Sequence, residues 1–494
     1  MTAHLPVLIV VVPLAMAVLV PLASLLAAGL ARGLTLAALM ATSLCAVTAL
    51  ARVLSQGNWH YDLGGWAPPW GIEYVIDPLS GGLATLIAII AVLVAIYAGP
   101  HFSGWSVSRS GIFFSLYLLL TTGLLGIVVT GDLFNLYVFL EISSLAGYAL
   151  LSSGGIRSAV ATFRYLLVGT IAATFYLIGV GYLYALTGTL NMADMATRIP
   201  AAADSNVFAV AVAFIVIGLT IKAALFPMHG WLPDAYTYAP APVTGFISAV
   251  MAKVSAYALF RILYFVLRPE GVVGQALTLL SWAAAVAVVA ASLLAIAQHD
   301  IRRMLAYSSI GQMGYIVLGL TLGTPAAIMG ALLHMLNHAI MKGCLFLIAG
   351  GVQWRTGICK IEDFIGMSRR MPLTMAAFVV AALSMIGLPP TAGFFSKWYL
   401  LTGALDAHAG AFVVALVLSS LLNAVYFFHV IEVAYLRQPE TTEHGAALLL
   451  PRHDLPVRML MPILILATSV VLLGFLNQTI VNQVIHFALP LEVR

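Results

Sequence analysis

The chain has 494 residues, of which 62% are hydrophobic and only 8% are charged. Soluble domains contain about 25% charged residues, so this composition excludes a set of water-soluble domains and predicts a polytopic membrane protein. The net charge of +4 comes with no basic run, which excludes a nucleic-acid partner. Cys45, Cys344 and Cys359 are too few and too scattered for a disulfide framework or a zinc site.

Apolar runs long enough to cross a bilayer recur along the whole chain. A helix of about 20 residues spans the hydrocarbon core, and fourteen such runs are predicted, all helical because they lack the short alternating pattern of membrane strands. They cover residues 5–28, 34–54, 80–99, 111–130, 133–151, 164–186, 207–226, 243–266, 273–297, 304–322, 326–350, 372–396, 410–436 and 457–485. The first run has no positive segment before it and is too long for the core of a signal peptide, so we expect it to be a retained span. The largest loops, residues 55–79 and 437–456, are too short for a soluble domain, so residues 1–494 are predicted to form one all-α membrane domain.

Positive residues are distributed unevenly between the two sides of this predicted bundle. Thirteen lie in one set of alternate loops, and five lie on the other side. The larger set is Arg32, Arg109, Arg157, Arg164, Arg302, Arg303, Arg355, Lys360, Arg369, Arg370, Arg437, Arg452 and Arg458, and the smaller set is Arg52, Arg198, Arg261, Arg268 and Arg494. The positive-inside rule therefore predicts a protein of the cell (inner) membrane with the larger set in the cytoplasm and both termini outside.

Lysines are concentrated inside the apolar runs. Of the five lysines, Lys222, Lys253 and Lys342 lie inside predicted spans and Lys397 lies at the end of one, whereas nearly every loop cation is an arginine. A charge in hydrocarbon costs about 2.5 to 3.5 kcal/mol on insertion scales, and a buried ammonium can lose and regain a proton, which a guanidinium cannot. The pattern predicts groups that change protonation state as protons cross the membrane. The alternative is that these lysines snorkel toward helix ends, although Lys253 lies near the middle of its span.

Glu141 is the only acid in the central part of the first eight runs. A carboxylate there needs a partner, and a pair with Lys222 would neutralise both groups. Opening of that pair would release the proton of Lys222 to the next group, whereas a static structural ion pair is the alternative.

Two further sets of titratable residues follow. His334, His338 and Lys342 are spaced by four residues, which places them on one helical stripe with a drift of about 40° per step. We expect a hydrated proton relay there; metal binding by the two histidines lacks a nearby third ligand, and buried histidines with satisfied hydrogen bonds are the remaining alternative. His429 and Glu432, three residues apart near the arginine-rich side, are predicted to serve as a proton entry or exit, or to anchor the helix end.

Prolines interrupt two of the runs that carry lysines. Pro227 follows Lys222 by five residues, and the pair Pro389 and Pro390 lies seven to eight residues before Lys397. Because proline interrupts the helical hydrogen-bond ladder, one discontinuous helix is predicted in each half. The reversed order of charge and break is typical of an inverted repeat, which predicts two five-helix units, residues 111–266 (spans four to eight) and 273–436 (spans nine to thirteen).

Four segments together resemble a known family: the run from Lys222 to Ile262 that contains KAALFPMHGWLPDAYTYAPAP, NLYVFLE before it, and HMLNHAIMKGCLFLIAG and GLPPTAGFFSKWYLL after it. They are similar to the proton-conducting membrane transporter family shared by the antiporter-like subunits of complex I and by Mrp-type multisubunit cation/proton antiporters, and most of all to the Mrp D subunit. The resemblance implies fourteen helices, two inverted five-helix repeats and a central hydrophilic axis. It assigns the proton pathway to Glu141, Lys222, Lys253, His334, His338, Lys342 and Lys397, with Lys397 at the end of the broken twelfth span.

The expected function is therefore that of a proton-translocating subunit of a multisubunit Na+/H+ antiporter, with other membrane subunits, protons and Na+ or another monovalent cation as partners. The alternative is a proton-pumping membrane subunit of a complex I-like or membrane-bound hydrogenase redox complex. Inorganic-carbon uptake complexes remain possible relatives, and a stand-alone solute carrier or a passive membrane anchor is less favoured. The sequence has no Cys cluster, Walker loop or dinucleotide fingerprint, so we expect no cofactor, no metal and no chemical active site of its own. A titratable glutamate at position 397 is expected to be better tolerated than alanine.

Overall fold

The computed structural model describes residues 2–27, 29–437 and 453–489. Arg452 and Arg494, which entered the charge count of the two sides, lie outside these described residues. The described residues form α-helices throughout, apart from one small hairpin and short single-turn segments. The helices, in chain order, are α1 (Leu5–Ser24), α2 (Leu30–Gln56), α3 (Pro78–His101), α4 (Val107–Val129), α5 (Leu133–Ser152), α6 (Ile156–Thr187), α7 (Met192–Arg198), α8 (Asn206–Lys222), α9 (Leu232–Tyr238), α10 (Ala241–Arg261), α11 (Gly271–Ile296), α12 (Ile301–Thr321), α13 (Pro325–Thr356), α14 (Met367–Arg370), α15 (Pro372–Ile386), α16 (Ala392–Asp406), α17 (Gly410–Tyr435), α18 (Val457–Phe475) and α19 (Asn477–Ile480).

Eleven helices within the described residues are long and apolar enough to cross a membrane, and α8 and α15 are shorter apolar helices of 17 and 15 residues. The prediction of an all-α, multi-pass membrane protein is therefore confirmed. The predicted runs 207–226 and 372–396 begin with the two shorter helices but extend past their ends, since α8 stops at Lys222 and the second run crosses the break between α15 and α16. The run predicted at 457–485 is wrong at its end, because α18 stops at Phe475 and the chain continues as short helical turns.

A two-stranded antiparallel hairpin occupies the loop between α2 and α3. Its strands are β1 (Trp59–Asp62) and β2 (Glu73–Ile76), with Trp59 opposite Ile76. The hairpin was not predicted, because four residues are too few for an alternating pattern to stand out. The face of the bundle that carries it is called the hairpin face below, and the opposite face, where the arginine-bearing loops lie, is called the arginine face.

The core of the molecule lies around α10 and α13. In the 18-residue apolar stretch of each of these helices, 94% of the residues are buried, whereas only 33% are buried in the corresponding stretches of α1 and α2. Small residues let the two central helices pack closely: a Cβ on Gly350 of α13 would lie 2.1 Å from the Cβ of Ala241 on α10. The helices that carry Lys253, His334, His338 and Lys342 are thus the ones most shielded from lipid.

Candidate functional site

Four of the five lysines lie away from solvent. Lys222, Lys253 and Lys342 are buried, with at most 2% of each residue exposed, and Lys397 is partly buried, whereas Lys360 lies exposed in a loop. An ammonium without a counter-charge or hydrogen-bond acceptors is costly in such surroundings. The contacts that each lysine makes therefore define the site.

Lys222 is the last residue of α8 and faces Glu141 on α5. Its Nζ lies 3.9 Å from the Oε1 of Glu141 and donates a 2.7 Å hydrogen bond to the Oγ of Ser144, while the Tyr148 hydroxyl is 3.5 Å away. The Oε1 of Glu141 is buried and has no hydrogen-bond partner among the described residues. The expected pair of Glu141 and Lys222 is thus in contact range but open, since the ammonium bonds to the serine.

Ser144 and Tyr148 were not predicted as site residues from the sequence. Together with Glu141 they occupy positions i, i+3 and i+7 of α5, so they share one face of that helix. The spacing was visible, but serine and tyrosine are common in membrane helices without any polar partner. Only the position of the Lys222 side chain distinguishes these two.

The first helix break follows directly on Lys222. Residues 223–231 are irregular, α9 begins at Leu232, and Pro227 lies inside the break as predicted from its sequence position. The Nε1 of Trp231 donates a 3.0 Å hydrogen bond to the carbonyl of Ile221, which the break leaves without its helical partner. A side chain from the break therefore bonds to the C-terminal end of α8, next to Lys222.

Asp234 ties the short helix α9 to its neighbours on the arginine face. One carboxylate oxygen lies 3.1 Å from Arg164 of α6, and the other lies 2.7 Å from Arg303 of α12. These two ion pairs position α9 between residues of both halves of the chain. Sequence reasoning placed Arg164 and Arg303 in loops of the same side but offered no reason to join them through Asp234.

Lys253 lies mid-way along α10 and donates to the main-chain carbonyl of Ser248 on its own helix. Its helix packs against α13, which carries His338 and Lys342. The same helix also packs against α8, which ends at Lys222, so α10 contacts both of the helices that carry the neighbouring buried lysines.

The stripe on α13 contains two different kinds of histidine. His334 is hydrogen-bonded at both ring nitrogens, to the Oγ of Ser396 and to the Oε1 of Gln312, each at 2.8 Å. His338 is buried and has no hydrogen-bond partner at either nitrogen among the described residues, although its ring stacks on that of His334 with centroids 5.8 Å apart. One turn further, Lys342 donates a 2.9 Å bond to the carbonyl of Leu305 on α12.

Lys397 lies within α16, five residues after that helix begins, and not at the end of the broken span as expected. The break covers residues 387–391 and includes Pro389 and Pro390. The Nζ of Lys397 donates to the carbonyls of Met385 (2.8 Å) and Ile386 (3.1 Å), the last two residues of α15. A cation is favoured at a helix C-terminus, so these contacts argue against the expectation that glutamate is better tolerated than alanine there.

His429 and Glu432 lie together at the arginine-face end of α17. Their side chains are about half exposed, with 3.8 Å between the His429 Nδ1 and a Glu432 oxygen, and Glu432 also bonds to Arg437 at 3.2 Å. They line a cavity of about 710 Å³ that reaches Tyr426. The buried Tyr426 hydroxyl in turn bonds to Ser308 on α12 at 2.8 Å, so a polar side chain connects this cavity with the bundle interior.

A second charged cluster, on the hairpin face, was also missed from the sequence. The carboxylate of Asp77, at the start of α3, is in contact with the Arg261 guanidinium at the end of α10, and both side chains are largely buried. Glu73 on β2 lies 2.5 Å from His60 and 3.1 Å from Asn191. Both acids line a cavity of about 440 Å³ on this face.

A multi-pass helical membrane protein with two broken helices and a row of buried lysines defines an antiporter-like membrane subunit. Residues 130–423 match the family model described as "NADH:quinone oxidoreductase/Mrp antiporter, TM", and the chain belongs to this family. The matched region contains every residue of the candidate pathway from Glu141 to Lys397.

Individual relatives match over most of the chain. It is 56% identical over 497 residues to NADH-quinone oxidoreductase subunit N of Desulforudis audaxviator, covering 99% of both chains. It is 31% identical to the D subunit of a Na+/H+ antiporter of Alkalihalophilus pseudofirmus, covering 88% of this chain and 87% of that relative. Among solved structures, a chain of the archaeal membrane-bound sulfane sulfur reductase superposes with a TM-score of 0.89 at 33% identity, covering 98% of this chain and 96% of that one.

Proposed function

We propose that this protein is a proton-translocating, antiporter-like subunit of a redox-driven membrane complex similar to complex I. The observation that carries the proposal is the 56% identity to a NADH-quinone oxidoreductase subunit N over nearly the full length of both chains. The similarity to a chain of an archaeal respiratory complex at a TM-score of 0.89 supports it further. We therefore rank the redox-driven pump above the cation antiporter that the sequence motifs favoured first.

In this proposal protons move along the axis of buried titratable groups. Glu141 and Lys222 form the first switch: when the carboxylate closes on the ammonium, the pair holds its proton, and when it opens, Lys222 passes the proton toward Lys253. The 3.9 Å separation and the competing bond to Ser144 support a pair that can take both states. From Lys253 the proton continues to His338 and Lys342 and then to Lys397, or the same path runs in reverse.

We also propose that residues 111–266 and 273–436 are two inverted five-helix repeats within a fourteen-helix subunit. Each range contains one helix interrupted next to a proline, α8/α9 in the first and α15/α16 in the second. In each, a lysine lies at the end of the first half-helix, either as its last residue (Lys222) or by hydrogen bonding to its last carbonyls (Lys397). This arrangement supports a mirrored role for the two lysines at opposite ends of the axis.

In this proposal the redox reactions take place in partner subunits. The test therefore identifies the subunits that assemble with this chain and the energy source that drives its proton flux. After purification in mild detergent we expect iron–sulfur proteins among the partners. Inverted membrane vesicles should acidify on addition of an electron donor in Na+-free buffer. Absence of donor-driven acidification from vesicles that contain the assembled complex would contradict the proposal.

A second candidate is a subunit of a cation/proton antiporter, which the 31% identity to the D subunit of a Na+/H+ antiporter favours. It predicts small membrane subunits as partners and proton release from preloaded vesicles when Na+ is added without an electron donor. The same vesicles therefore distinguish the two candidates, because only the redox-driven complex acidifies in Na+-free buffer.

A further inference from the structure

A polar cavity of about 410 Å³ opens on the arginine face, where the ends of several helices meet. Its lining includes the end of α3, the start of α4, the end of α5, the start of α12 and the end of α13. None of the proton-pathway residues lines it. The cavity is therefore separate from the candidate site and needs an explanation of its own.

Two guanidinium groups line the cavity. Arg109 lies over the ring of Trp105, with its Cζ 3.9 Å from the ring centroid, and donates to the carbonyl of Ser153 at 3.3 Å. Arg302 donates to the Oε1 of Gln353 at 2.7 Å, and its contact with the carboxylate of Asp300 is long, at 3.4 Å. Asp300 does not line the cavity, so positive charge prevails within it.

Two buried nitrogen atoms beside the cavity have no hydrogen-bond partner among the described residues. They are the Nε of Arg302 and the Nδ1 of His101, which belong to lining residues. A buried donor without an acceptor is unfavourable by about 1–3 kcal/mol, and the Nδ1 of a neutral histidine can be a donor. An oxyanion in the cavity would accept hydrogen bonds from the guanidinium groups of the two arginines and would balance their charge.

An apolar groove of about 300 Å³ adjoins this cavity and shares Trp105, Arg109 and Ser153 with it. The groove runs between α4 and α5 along Ile112, Phe113, Leu116, Ala149 and Leu150. From Arg109 to Leu116 it extends about 10 Å along α4, toward the membrane interior. Ile112 is 54% exposed, so the groove is open to lipid.

We propose that the cavity and the groove together bind one anionic phospholipid, with the phosphate between Arg109 and Arg302 and an acyl chain along α4 and α5. Basic pockets at helix ends on the arginine-rich side suit anionic headgroups, and Trp105 and Trp354 at the rim are typical of the membrane interface. A free phosphate ion would satisfy the same donors but would leave the apolar groove without a role. The groove therefore favours a lipid as the occupant.

The test uses the chain with its partner subunits, purified in neutral detergent and titrated with phosphatidylglycerol, with bound lipid counted by native mass spectrometry. Loss of each arginine, in Arg109→Ala and in Arg302→Gln, should weaken binding roughly fivefold. Arg109→Lys, which keeps the charge, should retain most of it. Arg157→Ala is the matched control, since Arg157 is an exposed arginine of the same face outside the cavity.

A second arm separates a lipid from inorganic phosphate. Ala149→Trp fills the groove and leaves the arginines in place, so this variant should no longer bind phosphatidylglycerol. Excess inorganic phosphate should not displace phosphatidylglycerol from the wild-type protein. Equal lipid retention in Arg109→Ala and Arg157→Ala would overturn the proposal. So would full displacement by inorganic phosphate together with normal lipid binding in Ala149→Trp. Because Arg109 is exposed at the surface, its replacement tests the proposal even if the Arg302 variant fails to fold.

Discussion

His334 and His338 stand one turn apart on α13, yet their hydrogen bonding differs completely. Both nitrogens of His334 are bonded, to Ser396 and Gln312, whereas His338 has no hydrogen-bond partner among the described residues. A buried polar group without hydrogen-bond partners does not stabilise a fold. Its presence therefore points to a function that requires a group able to take up and release a proton. The sequence could not separate the two, because both lie on the same stripe.

Replacement by leucine should therefore affect the two positions in opposite ways. We expect His338→Leu to leave the apparent melting temperature of the purified complex unchanged or raised, while proton flux falls at least tenfold. His334→Leu should lower stability by about 1–3 kcal/mol, because it leaves the Gln312 Oε1 without the bond to His334, although Ser396 keeps its bond to the carbonyl of Gly393. Thermal unfolding and vesicle acidification measure the two effects. Normal flux in a stable His338→Leu variant would remove that histidine from the pathway.

The environment of Lys397 also leads to a specific prediction about which side chains are tolerated there. Its ammonium donates to the last carbonyls of α15, so we expect Lys397→Arg to keep the fold but to stop proton transfer, since a guanidinium does not deprotonate. Lys397→Glu places a carboxylate against those carbonyls and should lower both stability and flux. The two variants are compared by thermal unfolding and acidification rate. Stable assembly and normal flux in Lys397→Glu would show that the carbonyl contacts do not govern this position.

At the scale of elements, the long apolar helices were predictable because length and hydropathy alone specify them. The positions of both breaks were predictable as well, from Pro227 and from Pro389 and Pro390. The hairpin and the true end of α18 were not, since short strands and helical turns leave no clear periodicity. The hydrogen bonds of Lys253 and Lys342 go to main-chain carbonyls, which any sequence provides, so no residue pattern could have identified them.

The contact between Asp77 and Arg261 joins the start of α3 to the end of α10 across 184 residues of sequence. Asp77→Asn keeps an N-cap for α3 but leaves the Arg261 guanidinium buried without its counter-charge. We expect a loss of about 3–5 kcal/mol, seen as a lower melting temperature. The double variant Asp77→Asn/Arg261→Leu, which removes the stranded charge, should recover part of that loss. A double variant no more stable than the single one would show that charge burial is not the cause.

At the scale of the whole molecule, the charge asymmetry between the faces leads to a proposed orientation, with the hairpin face outside and the arginine face in the cytoplasm. Trp70 on the hairpin loop is 91% exposed, and a Cβ added to Gly104 on the arginine face would meet no atom within 4 Å, so a cysteine fits at either place. A Cys359→Ser background removes the loop thiol, whose pKa is raised by burial. In intact cells, an impermeant maleimide should label Trp70→Cys and spare Gly104→Cys. The reverse labelling would contradict the orientation.

Family membership and the general architecture were accessible from sequence, but the choice between redox-driven and cation-driven transport was not. The motifs around Lys222 and Lys342 belong to the transport axis, which both kinds of complex use in this proposal. In this proposal the energy source lies in partner subunits, so the residues of the axis do not reveal which kind of complex the subunit belongs to. Similarity along the full chain separates the two kinds of complex better than any single motif does.

The central claim is that redox-driven proton transport in this subunit passes through its buried lysines. Its most direct test is the number of protons moved per electron pair in inverted vesicles, with Lys222→Ala compared with Lys360→Ala, which removes the one exposed lysine among the described residues. We predict the wild-type ratio for Lys360→Ala and a lower ratio for Lys222→Ala in a fully assembled complex. Equal, wild-type ratios in both variants would contradict the claim.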